Sequence, residues 1–456
     1  MSLLKAFSAI AALTAGHVNG LAVRQSPAGT ATVDIANPSG PANFLGSGFI
    51  YRFPDNGRDL DTSIPDSFVT DIKFHTSRAG GAQILAPGWI GGLDGYQQRF
   101  DSALSNYRTT RKYGADFIIL PDDLWGADGG QAGGSILPGD NGNWTETELF
   151  LHRLVDDIKS NNMLDGLVFD IWNKPDLDIF WARSWDQYLD YYVRAHKIIR
   201  AELPGTLTSG PSAANAPAVD LDNWKAWMST VASNDAVPDI YSWHQIGDWQ
   251  REPDRVVSDF KSLQSTYNLA DRPIDLNEYA WPSEQNPANG WPRLARLHGR
   301  PSLQGRQWNV QAQRRMACVQ VLRSDDRLFD VFATVENNSV KILVGTRTVQ
   351  KNYETKVSGL SKLGLPSDGS VQVRTLRFDW AGTKAEIGEP LDLGVTSLSS
   401  ASDSLTILVE PPTNSTAFAF ELGRLLPAGS IGKFDPLNII RSNERMDLNI
   451  CTLLCK

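Results

Sequence analysis

The chain has 456 residues and a formal net charge of -9, length enough to bury a large core and to form more than one domain. The acidic balance argues against a nucleic-acid partner, and no segment after the first twenty or so residues approaches the ~20 apolar residues of a membrane span. The six histidines are scattered without metal-ligand spacing, and His-Glu-x-x-His, Gly-x-Ser-x-Gly and phosphate-loop motifs are absent, so no metal or cofactor is expected.

At the N-terminus, Lys5 precedes an apolar stretch from Ala6 to Ala15 and the small residues Val18-Asn19-Gly20. This reads as a secretory signal peptide over residues 1–20 and implies a secreted, extracellular protein. The sequons at Asn143, Asn337 and Asn414 are then candidate N-glycosylation sites. Strand-like runs follow at Gly48 to Arg52, Ile72 to Thr76, Asp116 to Pro121, Leu167 to Trp172, Thr206 to Gly210, Ile240 to His244 and Ile274 to Glu278. Amphipathic stretches lie between them, such as Gln97 to Lys112, Glu146 to Asn161 and Trp185 to Leu203. Strand alternating with helix predicts an α/β fold, a (β/α)8 TIM-type barrel with its helices outside. An eighth strand has no clear place. Residues 291–324 hold seven arginines, from Arg293 to Arg323, and show no periodicity, and 291–327 reads as an atypical segment translated out of frame or across an intron.

After Leu328 the texture changes to alternating runs, including Phe329 to Val335, Val340 to Gly345, Ser370 to Arg377 and Ala417 to Leu422, as expected of a smaller β-sandwich domain. The early run Thr30 to Ala36 is expected to join it. The division is therefore a signal peptide (1–20), an N-terminal segment joining the β domain (21–45), the barrel (46–327), the β-sandwich (328–424) and an atypical tail (425–456). The three cysteines, Cys318, Cys451 and Cys455, fall in the atypical segments, so the body of the chain depends on core burial rather than disulfides. A pairing of Cys451 with Cys455 stays open. Most of the fourteen tryptophans are expected in the core, with stacking on sugar rings as their functional alternative.

Two motifs carry the chemistry: Phe169-Asp170-Ile171-Trp172-Asn173-Lys174-Pro175-Asp176 and Ile274-Asp275-Leu276-Asn277-Glu278-Tyr279-Ala280. Each is an apolar run ending in polar residues, the pattern of a parallel barrel strand that delivers side chains to the mouth. Together with Ser67 to Arg78 and Leu120 to Gly126, they resemble secreted fungal members of glycoside hydrolase family 39. That family belongs to a clan of barrel glycosidases with an Asn-Glu-Pro acid/base motif on the fourth strand and a nucleophilic Glu on the seventh. The resemblance implies a retaining hydrolase of O-glycosidic bonds acting on plant-wall-type glycans, β-xylosides or arabinose-containing chains, with an oligo- or polysaccharide as partner. It implies Glu278 as nucleophile, Asn173 on the sugar 2-hydroxyl, and an acid/base Glu at position 174, where this chain has Lys174. Trp172, Tyr241, His244, Trp281, Trp125 and Arg78 are candidates to line the sugar site.

An ammonium protonates a leaving oxygen poorly and is no base at neutral pH, so Lys174 cannot simply replace the acid. It is also free to lock Glu278 in an ion pair. Of the nearby carboxylates Asp170, Asp176 and Asp178, Asp176 lies two residues on and could turn inward, but none of them is expected to replace the acid. The alternative function is a catalytically inactive, carbohydrate-binding pseudoenzyme.

Overall fold

Short apolar runs without polar alternation, such as Leu167-Val168-Phe169, suit strands covered on both faces. A computed structural model describes residues 26–41, 48–50, 53–70, 73–246, 253–280, 317–336, 338–346, 349–379 and 390–423. In chain order its main elements begin with β1 (Thr30–Pro41), β2 (Gly48–Ile50), α1 (Asp66–Thr70), β3 (Thr76–Ala79), α2 (Leu93–Lys112), β4 (Asp116–Ile119) and α3 (Pro121–Trp125). They continue with α4 (Thr145–Ser160), β5 (Leu167–Asp170), α5 (Trp185–Glu202), β6 (Leu207–Ala213), α6 (Asp222–Ser233), β7 (Ile240–Ile246), α7 (Pro253–Thr266) and β8 (Ile274–Ala280).

Strands β2 to β8 form one curled sheet in sequential order, every pair parallel, with helices packed outside as in a TIM-type barrel. Residues 281–316, in which an eighth strand was to be sought, lie outside the described residues. The core between sheet and helices is aromatic: Trp172 packs edge-on to Trp181, Trp224 to Trp243, and Tyr241 to Phe260. Helix starts follow local chemistry. Ser184 Oγ accepts from Gln187 N to open α5, and Pro121 opens α3, which closes on the left-handed Gly126.

One expected strand is displaced. The run Ile72 to Thr76 gives way to a strand at Thr76–Ala79, because Lys73 adopts a left-handed φ of 53° and Phe74 N returns to Val69 O. Phe74 then stacks on Phe49 at 4.6 Å in a small aromatic cluster instead of serving the sheet.

The second unit contains β9 (Ala317–Leu322), β10 (Phe329–Glu336), β11 (Ser339–Thr346), β12 (Tyr353–Ser358), β13 (Gly369–Phe378), β14 (Leu391–Ala401), β15 (Ser404–Val409) and β16 (Ala417–Gly423). With β1 they form a nearly closed, mostly antiparallel sheet in the order β1-β12-β15-β14-β13-β16-β11-β10-β9, a sandwich-like domain with its own apolar core. β1 pairs in parallel with β12 and antiparallel with β9. β9 therefore belongs to this sheet, although its residues precede the expected boundary at 327/328. Cys318 lies on β9, while Cys451 and Cys455 lie outside the described residues.

Candidate active site

Parallel strands point their C-terminal ends to one side, and the polar residues that end these runs converge there. β3 supplies Arg78, β5 ends in Asp170 with Asn173 and Lys174 in the turn beyond, and β6 carries Ser212. β7 carries Ser242 and His244, and β8 carries Asn277 and Glu278.

Arg78 is the hub. Its Nε and Nη2 donate to Asp170 Oδ2 at 3.2 and 2.6 Å, Nη2 also to Asn173 Oδ1 at 3.1 Å, and Nη1 to Glu278 Oε1 at 3.2 Å. Burial disfavours its cation, but Asp170 and Glu278 outweigh that and hold its pKa above the ordinary arginine value. Asp170, fully buried, also accepts from Ser212 Oγ at 2.6 Å, and Ser212 Oγ lies 2.7 Å from Ser242 Oγ. Asn277 Nδ2 donates to Ser212 Oγ at 2.8 Å. This network fixes the strand ends against one another.

The accessible edge is Lys174 with Glu278, whose side chains are 18 % and 14 % exposed, against 3 % for Arg78 and 0 % for Asp170. Lys174 Nζ lies 2.9 Å from Glu278 Oε2 and 5.0 Å from the centre of the Phe180 ring. His244 Nδ1 approaches the same Oε2 at 3.2 Å without hydrogen-bonding alignment. A register shift between Trp243 and His244 sets His244 opposite Glu278. Burial pushes the His244 imidazole below its ordinary pKa, against the pull of Glu278. Burial also opposes the Glu278 carboxylate, but His244, Arg78 and Lys174 more than offset it and hold it well below the usual carboxylate range. The site thus contains an oriented, ionised carboxylate whose second oxygen is covered by an ammonium. Asp275 is pushed up to about 6 by burial, with Asp170 adding to the effect and Arg78 opposing it.

The predicted residues separate cleanly. Arg78, Asn173, Lys174, His244 and Glu278 come together. Tyr241 does not: successive side chains alternate across a strand, so Tyr241 and Trp243 face α7 and Phe260 while Ser242 and His244 face inward. Its hydroxyl donates to Ala270 O at 2.9 Å. Trp172 is fully buried on Trp181 and Tyr191, and Trp125 packs edge-on to Phe150 with its indole N–H on Ile136 O, so both are core residues rather than sugar platforms. Trp281 and Asn337 lie outside the described residues; Asn143 and Asn414 are exposed. Asp176 does not turn inward, since its oxygens accept from Ala214 N, Asn215 N and Asn215 Nδ2 at 2.7–2.8 Å, and Asp178 is exposed.

The sequence reading missed Ser212 and Asn277 as partners of Asp170, Ser242 as the partner of Ser212, and also Asp122. Asp122 is fully buried, and neither side-chain oxygen has a hydrogen-bond partner among the described residues. Burial, with Asp123 close by, raises its pKa well above the ordinary value, against the pull of Arg78. The available signal was the acidic pair Asp122-Asp123, one proline beyond the apolar run Phe117 to Leu120.

No protein-family model matches the chain, and no curated protein matches it. Solved structures do. The protein N2152 from Neocallimastix frontalis superposes with a TM-score of 0.63 at 18 % identity, over 87 % of this chain and 100 % of the other. The fold is shared. A GH39 enzyme from Xanthomonas axonopodis pv. citri gives 0.55 at 14 % identity over 89 % and 100 %, and a monomeric beta-xylosidase from Caulobacter crescentus gives 0.52 at 14 % over 88 % and 100 %. At such identities the likeness is one of architecture.

Proposed function

We propose that this protein is a secreted, carbohydrate-active member of the glycoside-hydrolase type, built as a retaining site with Glu278 as nucleophile and directed at plant-wall-type glycans. The observation that carries the reading is the meeting of Glu278 with the residue at position 174 at 2.9 Å. Retaining chemistry needs two groups flanking one bond, with carboxyls ~5–5.5 Å apart. Side chains from the ends of β5 and β8 that touch when one is a long lysine satisfy that demand. The ionised state of Glu278 and the Arg78 donor that orients its other oxygen support the nucleophile role, and Asn173 beside Arg78 supports a contact to a sugar hydroxyl.

In this arrangement Glu278 attacks the anomeric carbon, the aglycone departs with the bonding electrons, and a covalent glycosyl ester forms that water later opens. Lys174 gives the departing oxygen little help and holds Glu278 Oε2 in an ion pair. Turnover is therefore confined to glycosides whose leaving group needs no proton, with a loss of ~10²–10⁴-fold from the missing acid/base. The ion pair also favours a second reading, a pseudoenzyme that binds glycans without cleaving them. Mass spectrometry after incubation with an activated 2-deoxy-2-fluoro xyloside or arabinoside separates the two. A covalent adduct on Glu278 supports the hydrolase, and saturable binding without adduct supports the pseudoenzyme.

A further inference from the structure

Two segments rim the barrel mouth around Lys174: residues 126–144, which join α3 to α4, and residues 171–184, which join β5 to α5. Several of their polar side chains are spent on holding the segments in place. Gln131 Nε2 donates to Ile179 O at 2.7 Å while its Oε1 accepts from Gly129 N at 2.8 Å. Asp128 accepts from Gly130 N and from Arg99, and Arg183 donates to Asp140 and to Ser135 O. Asp178 stays in solvent, and what meets Lys174 is apolar: the partly exposed Phe180 ring, next to Ile179, which is 59 % exposed.

Phe180 is fixed from three sides. Its N–H donates to Leu177 O at 2.9 Å, its carbonyl accepts from the Trp172 indole at 3.4 Å, and its ring edge rests on Gly129, where a Cβ would stand 3.3 Å from Cζ. Gly129 has a φ of 88°, a conformation that side-chain-bearing residues rarely adopt. The ring presents its face to Lys174, whose Nζ lies 5.0 Å from the ring centre and 2.9 Å from Glu278 Oε2. In the retaining reading of this pair, on which the inference rests, the anomeric carbon lies against Glu278 and the glycosidic oxygen against residue 174. The group attached to that oxygen then begins where Phe180 stands. A cation–π contact alone would explain the ring, but not the exposed aliphatic side chain tied to the same rim.

Lys174 selects in the same direction. A phenolic oxygen ionises near pH ~10, as in tyrosine, and departs with less protonation than the oxygen of a sugar alcohol. As the bond from Glu278 to the anomeric carbon forms, the bond to the phenolic oxygen breaks and the phenolate leaves with the electron pair, so residue 174 need supply no proton. We propose that Phe180 and Ile179 form an aglycone platform that selects glycosides with an aromatic leaving group over those in which a further sugar follows.

Calorimetric titration of the full chain with thioglycosides, whose sulfur replaces the scissile oxygen and resists cleavage, tests it. The probes are the phenyl, methyl and xylosyl compounds, each in β-D-xylo and α-L-arabino form. An aromatic pair adds ~2–13-fold in affinity. The account predicts that the phenyl compound binds tighter than the methyl compound by at least that range, and tighter than the xylosyl compound. This preference should collapse toward unity in Phe180→Ala and shrink in Ile179→Ser, an exposed position that carries the test where the first variant does not fold. It should persist in Leu164→Ser, a similarly exposed leucine before β5 at the opposite end of the barrel. Equal binding of the phenyl and methyl compounds, a preference left intact by Phe180→Ala and Ile179→Ser, or tighter binding of the xylosyl compound overturns the platform alone. Absence of saturable binding by every probe overturns the carbohydrate reading and the platform with it.

Discussion

Arg78 reaches Asp170, Asn173 and Glu278 with one planar fork, a geometry that a lysine's single ammonium does not reproduce. Arg78→Met would leave the fully buried Asp170 with only neutral donors. Breaking a buried pair costs ~3–5 kcal/mol, so urea unfolding of this variant should show a loss of that size. A loss below ~1 kcal/mol would mean that Ser212 and Asn277 satisfy Asp170 without the cation. Glu278 and Lys174 were legible in the sequence because each ends or follows an apolar run at a barrel mouth. Asp170 was seen only as a nearby carboxylate, since nothing local in Phe169-Asp170-Ile171 announces that an arginine 92 residues earlier will meet it.

The strands and helices that position the site were largely readable, because parallel strands buried on both faces leave apolar runs and outer helices leave a period near 3.6. The misplaced β3 shows the limit: Phe74 is apolar in the expected run but is claimed by a neighbouring aromatic cluster. Tyr241 shows another. Motif proximity favoured it as a site residue, whereas the two-residue period of β7 sends it to the helix side. Tyr241→Phe should therefore cost ~0.5–1.5 kcal/mol through the lost bond to Ala270 and leave glycan affinity unchanged; a fall in affinity at unaltered stability would restore it to the site. β9 was hidden for a different reason, since its arginine-rich surroundings carry no alternation and its partners β1 and β10 flank it at very different distances along the chain.

Among the described residues the molecule contains a seven-stranded TIM-type sheet and a sandwich-like sheet, each with its own core, and its stability should respond to pH through the barrel. His196 is buried and stacked on Tyr192, and burial, with Arg200 adding, pushes its imidazole from 6.5 down to about 4. The unfolded chain takes up this proton near the ordinary value and the folded chain only near 4, so the unfolded state binds more protons in between. Stability is complete above about pH 6.5 and falls as the pH drops toward 4. Asp275, pushed up to about 6, works in the opposite sense over much of that range. Thermal unfolding from pH 7 to 4.5 should show a smaller decline in His196→Phe than in the natural chain, and an equal decline would remove His196 from the account.

The central claim is that a retaining-type pocket is held idle by one ammonium. Steady-state kinetics on activated and unactivated aryl xylosides and arabinosides, run on the natural chain and on Lys174→Glu, test it most directly. The account predicts a gain in kcat/KM of ~10²–10⁴-fold in Lys174→Glu, larger for the poorer leaving group. Robust turnover of the unactivated glycoside by the natural chain, with no gain on restoring the acid, would contradict it.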